Sequence, residues 1–465
     1  MEKQPGQLDP GWRSTNIPDG FKVAVVGDMI LTHPIHDHVS RTSPGLLELL
    51  HGADLVVGNM EGSIIDLERF QGYPEAESGF AWLIAPASQG PDLARMGFQL
   101  LSRANNHAVD WGAEGLLMTD AILHANGLAT AGTGASLAGA RAPGYVDGKV
   151  ARSSLVSWAT TFERNAPAAD ALGVTRARPG ASTLGLTQIA LVRQEQFDAL
   201  KAIRDAQPAE WRPEFLMEFD ARMGFVTLFG QHYKVHPDPA ADPAVHFELD
   251  SQSWREILRQ VKQAKQTSDF TVVASHTHEP ANWATRPPAF LPRIAREAIA
   301  EGADLVCGHG PHQLRGIEVV EGKPVFYSLG NFAFMDNTQM VVVRDEWERR
   351  IWRLVKDAPA AFDPTAWTEA EFMEWTRIAG VFGDDIWFES VVAVVEYDGA
   401  GRMRRIDLHP IELGNPGRDS LRGIPRLAGA EHGLRILDRL AQLSAPLGTE
   451  IRLDRTRGIG IIEAR

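Results

Sequence analysis

The sequence predicts an α/β fold, and three observations predict it. Short apolar runs suited to buried strands alternate with amphipathic stretches of helical period along most of the 465 residues. Many of the runs stop at Gly, Asn, Asp or His, where a strand hands over to a loop. Hydrophobic residues make up 44% and charged residues 23%, a balance that supports a large core and lies far from that of disordered chains. Strands that alternate with helices pair in parallel through crossovers. The length points to one large domain with elaborations or to two abutting ones.

The elements follow in order. FKVAVVGD (21–28) reads as a buried strand, PGLLELLHG (44–52) as a helix closed by glycine, and ADLVVGN (53–59) as a second buried strand. A helix over PDLARMG (91–97), a strand over FQLLSRANN (98–106), a helix over EGLLMTDAILHANG (114–127) and a short strand over LATAG (128–132) continue the rhythm. From about 143 to 260 the pattern loosens. There VDGKVARSSLVSW (146–158) reads as a hairpin limb, and LTQIALVRQEQFDALKAIRDA (186–206) as one amphipathic helix. HPDPAADPAVH (236–246) reads as loop, because its prolines deny both helix and ladder.

The rhythm resumes with a helix at 253–266, a strand over FTVVASH (270–276), a helix at 290–302, a strand over ADLVCGH (303–309) and a hairpin at 316–330 around a Gly-Lys turn. A second irregular stretch, 335–388, is rich in Trp and charge; beyond it lie a strand pair around DGAG (389–413), a helix (433–445) and a final strand, GIGII (458–462). The expected organisation is an N-terminal extension over 1–20, a main domain over 21–414 with insertions at about 143–260 and 335–388, and a C-terminal extension over 415–465 packed on the core.

Charge and cysteine usage narrow the function classes. The net charge of -14 and the lack of a basic run exclude a nucleic-acid backbone as partner. A lone Cys307 rules out internal disulfides and Cys-x-x-Cys metal sites, and reads as a small core hydrophobe. No apolar run reaches the roughly 18 residues of a membrane span, and the first twenty residues lack a signal-peptide core. A cytoplasmic protein with a small-molecule substrate and no membrane partner is the expectation; the sequence does not specify an oligomeric state.

Polar groups gather at one address, the carboxyl ends of the expected strands. Asp28 ends the first strand, Asn59 and then Glu61 follow the second, and Asn106 and His107 follow the third. His276, His278 and Glu279 end the strand at 270–276, and His309 and His312 end the strand at 303–309. In an open α/β sheet such ends rim the ligand crevice. Singly, an Asp or Asn here caps a turn, a Glu is a solvated loop carboxylate, and His278 reads as a supporting or exposed residue beside His276. Together they form a set that capping does not require. Imidazoles and carboxylates hold Zn, Mn or Fe, which acidify water; the same groups can also move protons directly.

GDMILTHPI, GNMEGS, ANNHAVDWGAEGLLMT, SHTHEP, GADLVCGHGPHQLRGIEVVEGKPVFYSLGNFAF and LHPIEL resemble, in order and spacing, the motifs of the CapA-type (poly-gamma-glutamate capsule protein) family, related to the calcineurin-like metallophosphoesterases. The resemblance implies a four-layer α/β sandwich of two mixed sheets flanked by helices. It places metal ligands at Asp28, Glu61, Asn106, His276, His309 and His312, with His309 and His312 as a closing pair, and the catalytic histidine at His107. Asp28, Glu61 and His276 would share the catalysis. Two departures stand out: Met29 and Ile30 follow Asp28 where metallophosphoesterases have Asp-x-His, and Glu61 replaces a bridging Asp. One or two divalent metals, or none, are compatible with this set.

Arg103, Trp111, His278 and Glu279 are expected to touch substrate, Arg103 either as a clamp for a carboxylate or phosphate or as half of a structural ion pair. The expected activity is metal-assisted hydrolysis of an amide or phosphoester of a small organic molecule. The alternatives are a metal-free acid/base lyase or epimerase using the same pocket, and a non-enzymatic polyanion-binding or capsule-assembly protein.

Overall fold

The computed structural model describes residues 10–75, 81–335, 381–414 and 419–464, with Thr368, Ala370, Glu371 and Glu374. Most of the irregular stretch at 335–388 lies outside the described residues. Two mixed sheets dominate. The larger, with ten strands, is centred on Phe21–Ile30. On one side run the parallel strands Leu55–Met60, Leu100–Ser102 and Ala129–Ala131; on the other, antiparallel Glu389–Tyr397 and Met403–Glu412. The second sheet has six strands, with Arg152–Ala159, Phe270–His276, Leu305–His309 and Lys323–Phe326 parallel at its centre.

Side-chain alternation explains how the sheets stack. Val23, Val25, Leu55, Val57 and Leu100 of the large sheet face Leu155, Val272, Ala274, Leu305 and Cys307 of the small one in a single buried cluster. The alternate residues of the large sheet, Ala24, Val26, Val56 and Leu101, pack instead with Leu46, Leu50 and Leu93 from the helices Pro44–His51 and Gln89–Arg95. Those of the small sheet, Val156, Val273 and Val306, meet Ile257 and Val261 of the helix Ser251–Thr267 and Ile294 of Phe290–Ala300. Helices, sheet, sheet and helices therefore make four layers, and Cys307 is core.

One irregularity aims the first strand. Between Val25 and Asp28 the pairing with Leu55–Met60 slips, so three steps along Phe21–Ile30 match two along its neighbour, from Val57 to Asn59. The extra residue turns Asp28 to the inner face that Val25 occupies. The slip sits at Gly27, where the Gly330 carbonyl fills the space a β-carbon would need, and Gly330 itself has φ +74°. The same carbonyl accepts the Asp28 N–H at 3.0 Å.

Three expectations are corrected. Residues 186–206 are not one helix: Leu186–Val192 is a strand between Gln231–Val235 and Ala244–Leu249, and the helix runs only over Gln194–Asp205. Pairing on both edges overrides the helical propensity of the segment; Arg193 N–H donates to Gln196 Oε1 at the helix start. The segment at 236–246 is loop only until Ala244, where a sheet strand begins. Strands Gly144–Asp147 and Arg152–Ala159 belong to the small central sheet, so the added unit is the separate four-stranded sheet further on, not all of 143–260. Within the C-terminal segment, Arg452–Asp454 and Ile459–Glu463 extend the large sheet, and Ala430–Ser444 buries Ile436, Leu437 and Leu440 in the inter-sheet cluster.

Candidate active site

The strand ends converge between the sheets. Asp28 and Asn59 are register partners on adjacent strands, and Asn59 Nδ2 donates to Asp28 Oδ1 at 2.7 Å. The other Asp28 oxygen accepts the backbone N–H of Gly310 at 3.0 Å. Gly310 holds φ +114°, and a β-carbon there would meet the Thr277 backbone at 2.9 Å, so the Gly-Pro turn is built around this contact. His312 follows at φ +58°, a left-handed conformation that costs a non-glycine residue about 1 kcal/mol. Its Nδ1–H donates to Asn331 Oδ1 at 3.0 Å, and Asn331 Nδ2 donates back to the His312 carbonyl at 3.1 Å.

His276 lies on the inner face at its strand end, with Nδ1 3.3 Å from Asn59 Nδ2. Its Nε2 lies 2.7 Å from Asn106 Oδ1 and 2.9 Å from His278 Nε2. His278 Nδ1–H donates to Asn282 Oδ1 at 2.6 Å, which leaves its Nε2 lone pair facing inward. Glu61 Oε1 stands 3.6 Å from His276 Nε2 and 3.8 Å from His312 Nε2. Two triads result: single ligand atoms of Asp28, Glu61 and His276 lie within 4.8 Å of one another, and so do those of Glu61, His278 and His312. Glu61 is common to both.

Burial sets the electrostatics. It pushes the Asp28 carboxyl up to about 7, against the lowering effect of the Gly310 N–H and the Asn59 amide. Glu61 is raised well above the ordinary carboxylate range by burial first and by the charges of Asp28 and Asp110 next. His276 and His278 are driven well below the ordinary imidazole value by burial and then by neighbouring imidazoles, and His312 falls to about 4 for the first of these reasons. The imidazoles are thus neutral at pH 7, as metal ligands must be.

The fit to a divalent cation rests on Glu61. Its residue is 0% exposed, and neither carboxylate oxygen accepts a hydrogen bond from a donor among the described residues; the Asp28 carboxyl is close enough to share a proton with it. Buried acceptors without donors are rare, and a proton or a cation must balance two adjoining carboxylates. Ligands about 2.1 Å from a tetrahedral zinc stand roughly 3.4 Å apart. Within each triad Glu61 Oε1 comes close to that spacing, 3.6 Å from His276 Nε2 and 3.8 Å from His312 Nε2, and the donor types suit Zn, Mn or Fe.

Beside the triads, His107 Nδ1 is bonded to Asp110 Oδ2 at 2.7 Å. Burial raises the Asp110 carboxyl to about 6 although His107 pulls it down, and the Leu83 N–H fixes it at 2.8 Å. Phe334 stacks on the His312 ring at 5.7 Å, and Phe382 meets the same ring edge-on at 5.7 Å.

Five further expected residues lie as follows. His309 pairs with His276 in register but stays outside both triads: its ring approaches the Val26 carbonyl on the opposing sheet, and burial lowers it to about 4. His278, expected at the substrate, lies beside His312, ring centroids 5.3 Å apart. Arg103 is 0% exposed and donates to the Met60 and Gly62 carbonyls at 2.9 and 2.5 Å, pairing with Asp120 at 3.4 Å. It braces the loop that carries Glu61, the arrangement expected of a structural ion pair. Trp111 is buried with Ile65, Trp82 and Ile84, edge-on to Phe70 at 5.8 Å, as core. Glu279 accepts the Thr160 and Thr161 hydroxyls at 2.8 and 3.0 Å and so ties residues 160–161 to its own loop.

Sequence reasoning missed Asn59 as a partner of Asp28, and missed Asp110, Asn282 and Asn331. Asp110 carries a readable signal, its spacing of three from His107 across a turn. Asn282 and Asn331 carry none, because their partners are brought to them only by the fold.

A protein y4sH of Sinorhizobium fredii, described as uncharacterized, is 37% identical over 97% of this chain and 95% of its own. The capsule biosynthesis protein CapA of Bacillus anthracis is 22% identical over 67% of this chain and 59% of its own. A phosphatase structure from Mycoplasma pneumoniae aligns over 85% of this chain and 95% of that one, at 10% identity and a TM-score of 0.39. The family model of the bacterial capsule synthesis protein PGA_cap matches residues 22–336, which takes in Asp28, Glu61, Asn106, His107, His276, His278 and His312, and the chain belongs to that family.

Proposed function

We propose that this chain is a divalent-metal-dependent hydrolase that cleaves an amide or phosphoester of a small organic molecule. The observation that carries the reading is Glu61: a fully buried carboxylate that, among the described residues, has no N–H or hydroxyl donor and only the adjoining Asp28 carboxyl to share a proton, and that is common to two triads of neutral imidazole and carboxyl groups. Asp28, Glu61, Asn106 and His276 would hold one ion, and Glu61, His278 and His312 a second. A bound divalent ion supplies a hydroxide nucleophile near neutral pH and polarises the bond to be cleaved.

The chain's own residues do the rest. Asn59 and the Gly310 N–H hold Asp28, Asn331 keeps the His312 Nδ1 proton so that Nε2 faces Glu61, and Asn282 does the same for His278. Asp110 holds His107 by Nδ1, which leaves Nε2 to carry a proton to the leaving group. Phe334 and Phe382 cover the His312 flank against water.

The test is metal content by plasma emission, followed by turnover of a p-nitrophenyl phosphodiester and of a γ-glutamyl anilide, the latter chosen for the family's capsule chemistry. Chelation should abolish turnover, and Mn²⁺ or Zn²⁺ should restore it. Full turnover by the chelated protein overturns the proposal. A second reading, an acid/base lyase or epimerase, draws on the Asp28 carboxyl at about 7 beside neutral imidazoles. Solvent deuterium appearing in substrate or product of the chelated protein would favour it.

A further inference from the structure

We propose that Arg439, on the C-terminal helix, is a positioning residue for His278, acting through Gln313 and Asn282. The inference deepens the reading of the site given above and, in its metal-binding arm, rests on it. Arg439 lies beyond residues 22–336, the part of the chain matched by the family model, and on a different layer from the strand that leads to His278. Its guanidinium nonetheless reaches the site's supporting residues.

The links are few and directional. Arg439 Nη2 donates to Gln313 Oε1 at 2.7 Å. Gln313 Nε2 donates to the backbone carbonyl of Asn282. Asn282 Oδ1 accepts the His278 Nδ1–H at 2.6 Å, which fixes the tautomer whose Nε2 is free to ligate. Behind Arg439 stands Glu389 of the large sheet, 3.5 Å from the other guanidinium nitrogen. Gln313 is 1% exposed and is the next residue after His312, so one buried amide braces the backbone that carries both imidazoles of the second triad. Arg315, two residues on, grips the same loop by the carbonyls of Glu279, Ala281 and Ala284. The loop at 279–284 is thus held by side chains of the segment that follows His312, and Arg439 sets the amide orientation of one of them.

The consequence is specific. Without Arg439 the Gln313 amide loses its orienting charge and can rotate; Asn282 then loosens, and His278 can place its proton on Nε2, where it blocks ligation. The test uses the full-length chain with ¹⁵N-labelled histidine, read by long-range ¹H–¹⁵N spectra without metal, and Co²⁺ titration followed by its visible absorption. In the wild type, His278 should show the Nδ1–H tautomer alone.

Arg439→Met and Gln313→Glu should each give a tautomer mixture and weaken Co²⁺ binding at the second triad by about 10- to 100-fold. Gln313→Glu is informative because it strengthens the pair with Arg439 and removes only the donor to Asn282; a purely structural role would leave it near wild type. Unchanged tautomer and unchanged Co²⁺ affinity in both variants overturn the proposal. Arg439→Met, at a partly exposed helix position, decides the matter should Gln313→Glu fail to fold. If the wild type takes up no Co²⁺, the hydrolase reading falls while the tautomer spectra still decide this one.

Discussion

Replacing Asp28 by asparagine tests the electrostatics of the site without any substrate. In the cation-free protein, burial holds the Asp28 carboxyl at about 7, against an ordinary value of 3.8. The folded protein therefore keeps a proton that the unfolded chain has released. The stability this contributes is fully present below the unfolded value and is lost as pH rises through the folded one. At about 1.36 kcal/mol per pKa unit, Asp28 contributes roughly 2 kcal/mol at pH ~5.5 and almost nothing at pH ~8.5. His276, His278, His309 and His312, all lowered by burial, act in the opposite sense, adding stability as pH climbs to their unfolded value of 6.5. They are common to both proteins and cancel in a difference, whereas Glu61, which the Asp28 charge helps to raise, is relieved in the variant, so its share of the alkaline loss in the wild type adds to that of Asp28 with the same sign. Asp28→Asn also costs about 1–3 kcal/mol, because an amide cannot accept both the Asn59 and Gly310 donors, but this offset does not depend on pH. Urea unfolding with chelator present, at steps across that pH range, should show the wild-type advantage shrinking by about 2 kcal/mol. A divalent ion should restore it at the alkaline end. A difference that stays flat, or grows with pH, refutes the assignment of a raised carboxyl at the site.

Glu61→Gln should remove the common member of both triads, and plasma emission should find the bound divalent metal largely lost; a full metal complement would sink the shared-ligand geometry. Asp110→Asn should lower kcat by about 10²- to 10⁴-fold while metal content holds, since its carboxylate bonds to His107 and to the Leu83 N–H, outside both triads; undiminished turnover would remove His107 as proton donor. Gly27→Ala should destabilise the protein by about 3 kcal/mol, measured by urea unfolding, because its β-carbon collides with the Gly330 carbonyl. Arg103→Met should cost about 3–5 kcal/mol by the same assay, leaving Asp120 buried without its cation; a stable variant with only a raised KM would return Arg103 to the substrate.

The layers and most of the site were legible because they depend on local pattern. Apolar runs such as those over 21–28 and 270–276 fix strand and inner face together, and polar residues at their ends must then meet if the strands are parallel neighbours. Two kinds of information were not local. Whether Leu186–Val192 is helix or strand depends on partners 43 to 63 residues away, which pairing supplies and sequence does not. On the proposed reading His278 is exchanged for His309 as ligand, and the cause lies in a loop: His278 follows the strand end at His276, and its ring is fixed by Asn282 four residues on, a contact that strand pattern does not encode. His309, the last residue of its own strand, has its ring toward the Val26 carbonyl.

That exchange bears on the departure at the first motif. Ile30 stands where metallophosphoesterases carry an imidazole, and here it is buried with Leu31 and Phe334 in the cluster under the helices. On the proposed reading no imidazole ligand comes from the residues just after Asp28; one would come instead from the loop following Phe270–His276, where His278 lies between His276 and His312 at ring separations of 4.9 and 5.3 Å. A ligand on a loop in place of one on a central strand would change what the rest of the chain must do. Asp28, Asn59 and His276 are fixed by ladder pairing at the centre of the two sheets, and their positions follow from strand register. His278 has no ladder to hold it, and a ligand displaced by even an ångström loses much of its effect. The side chains of Gln313 and Arg315, which close on the 279–284 loop from the segment carrying His312, supply the constraint the ladder does not. On this argument the C-terminal helix is retained in the fold for more than its apolar face: it anchors through Arg439 the part of the site that strand pairing leaves unsupported.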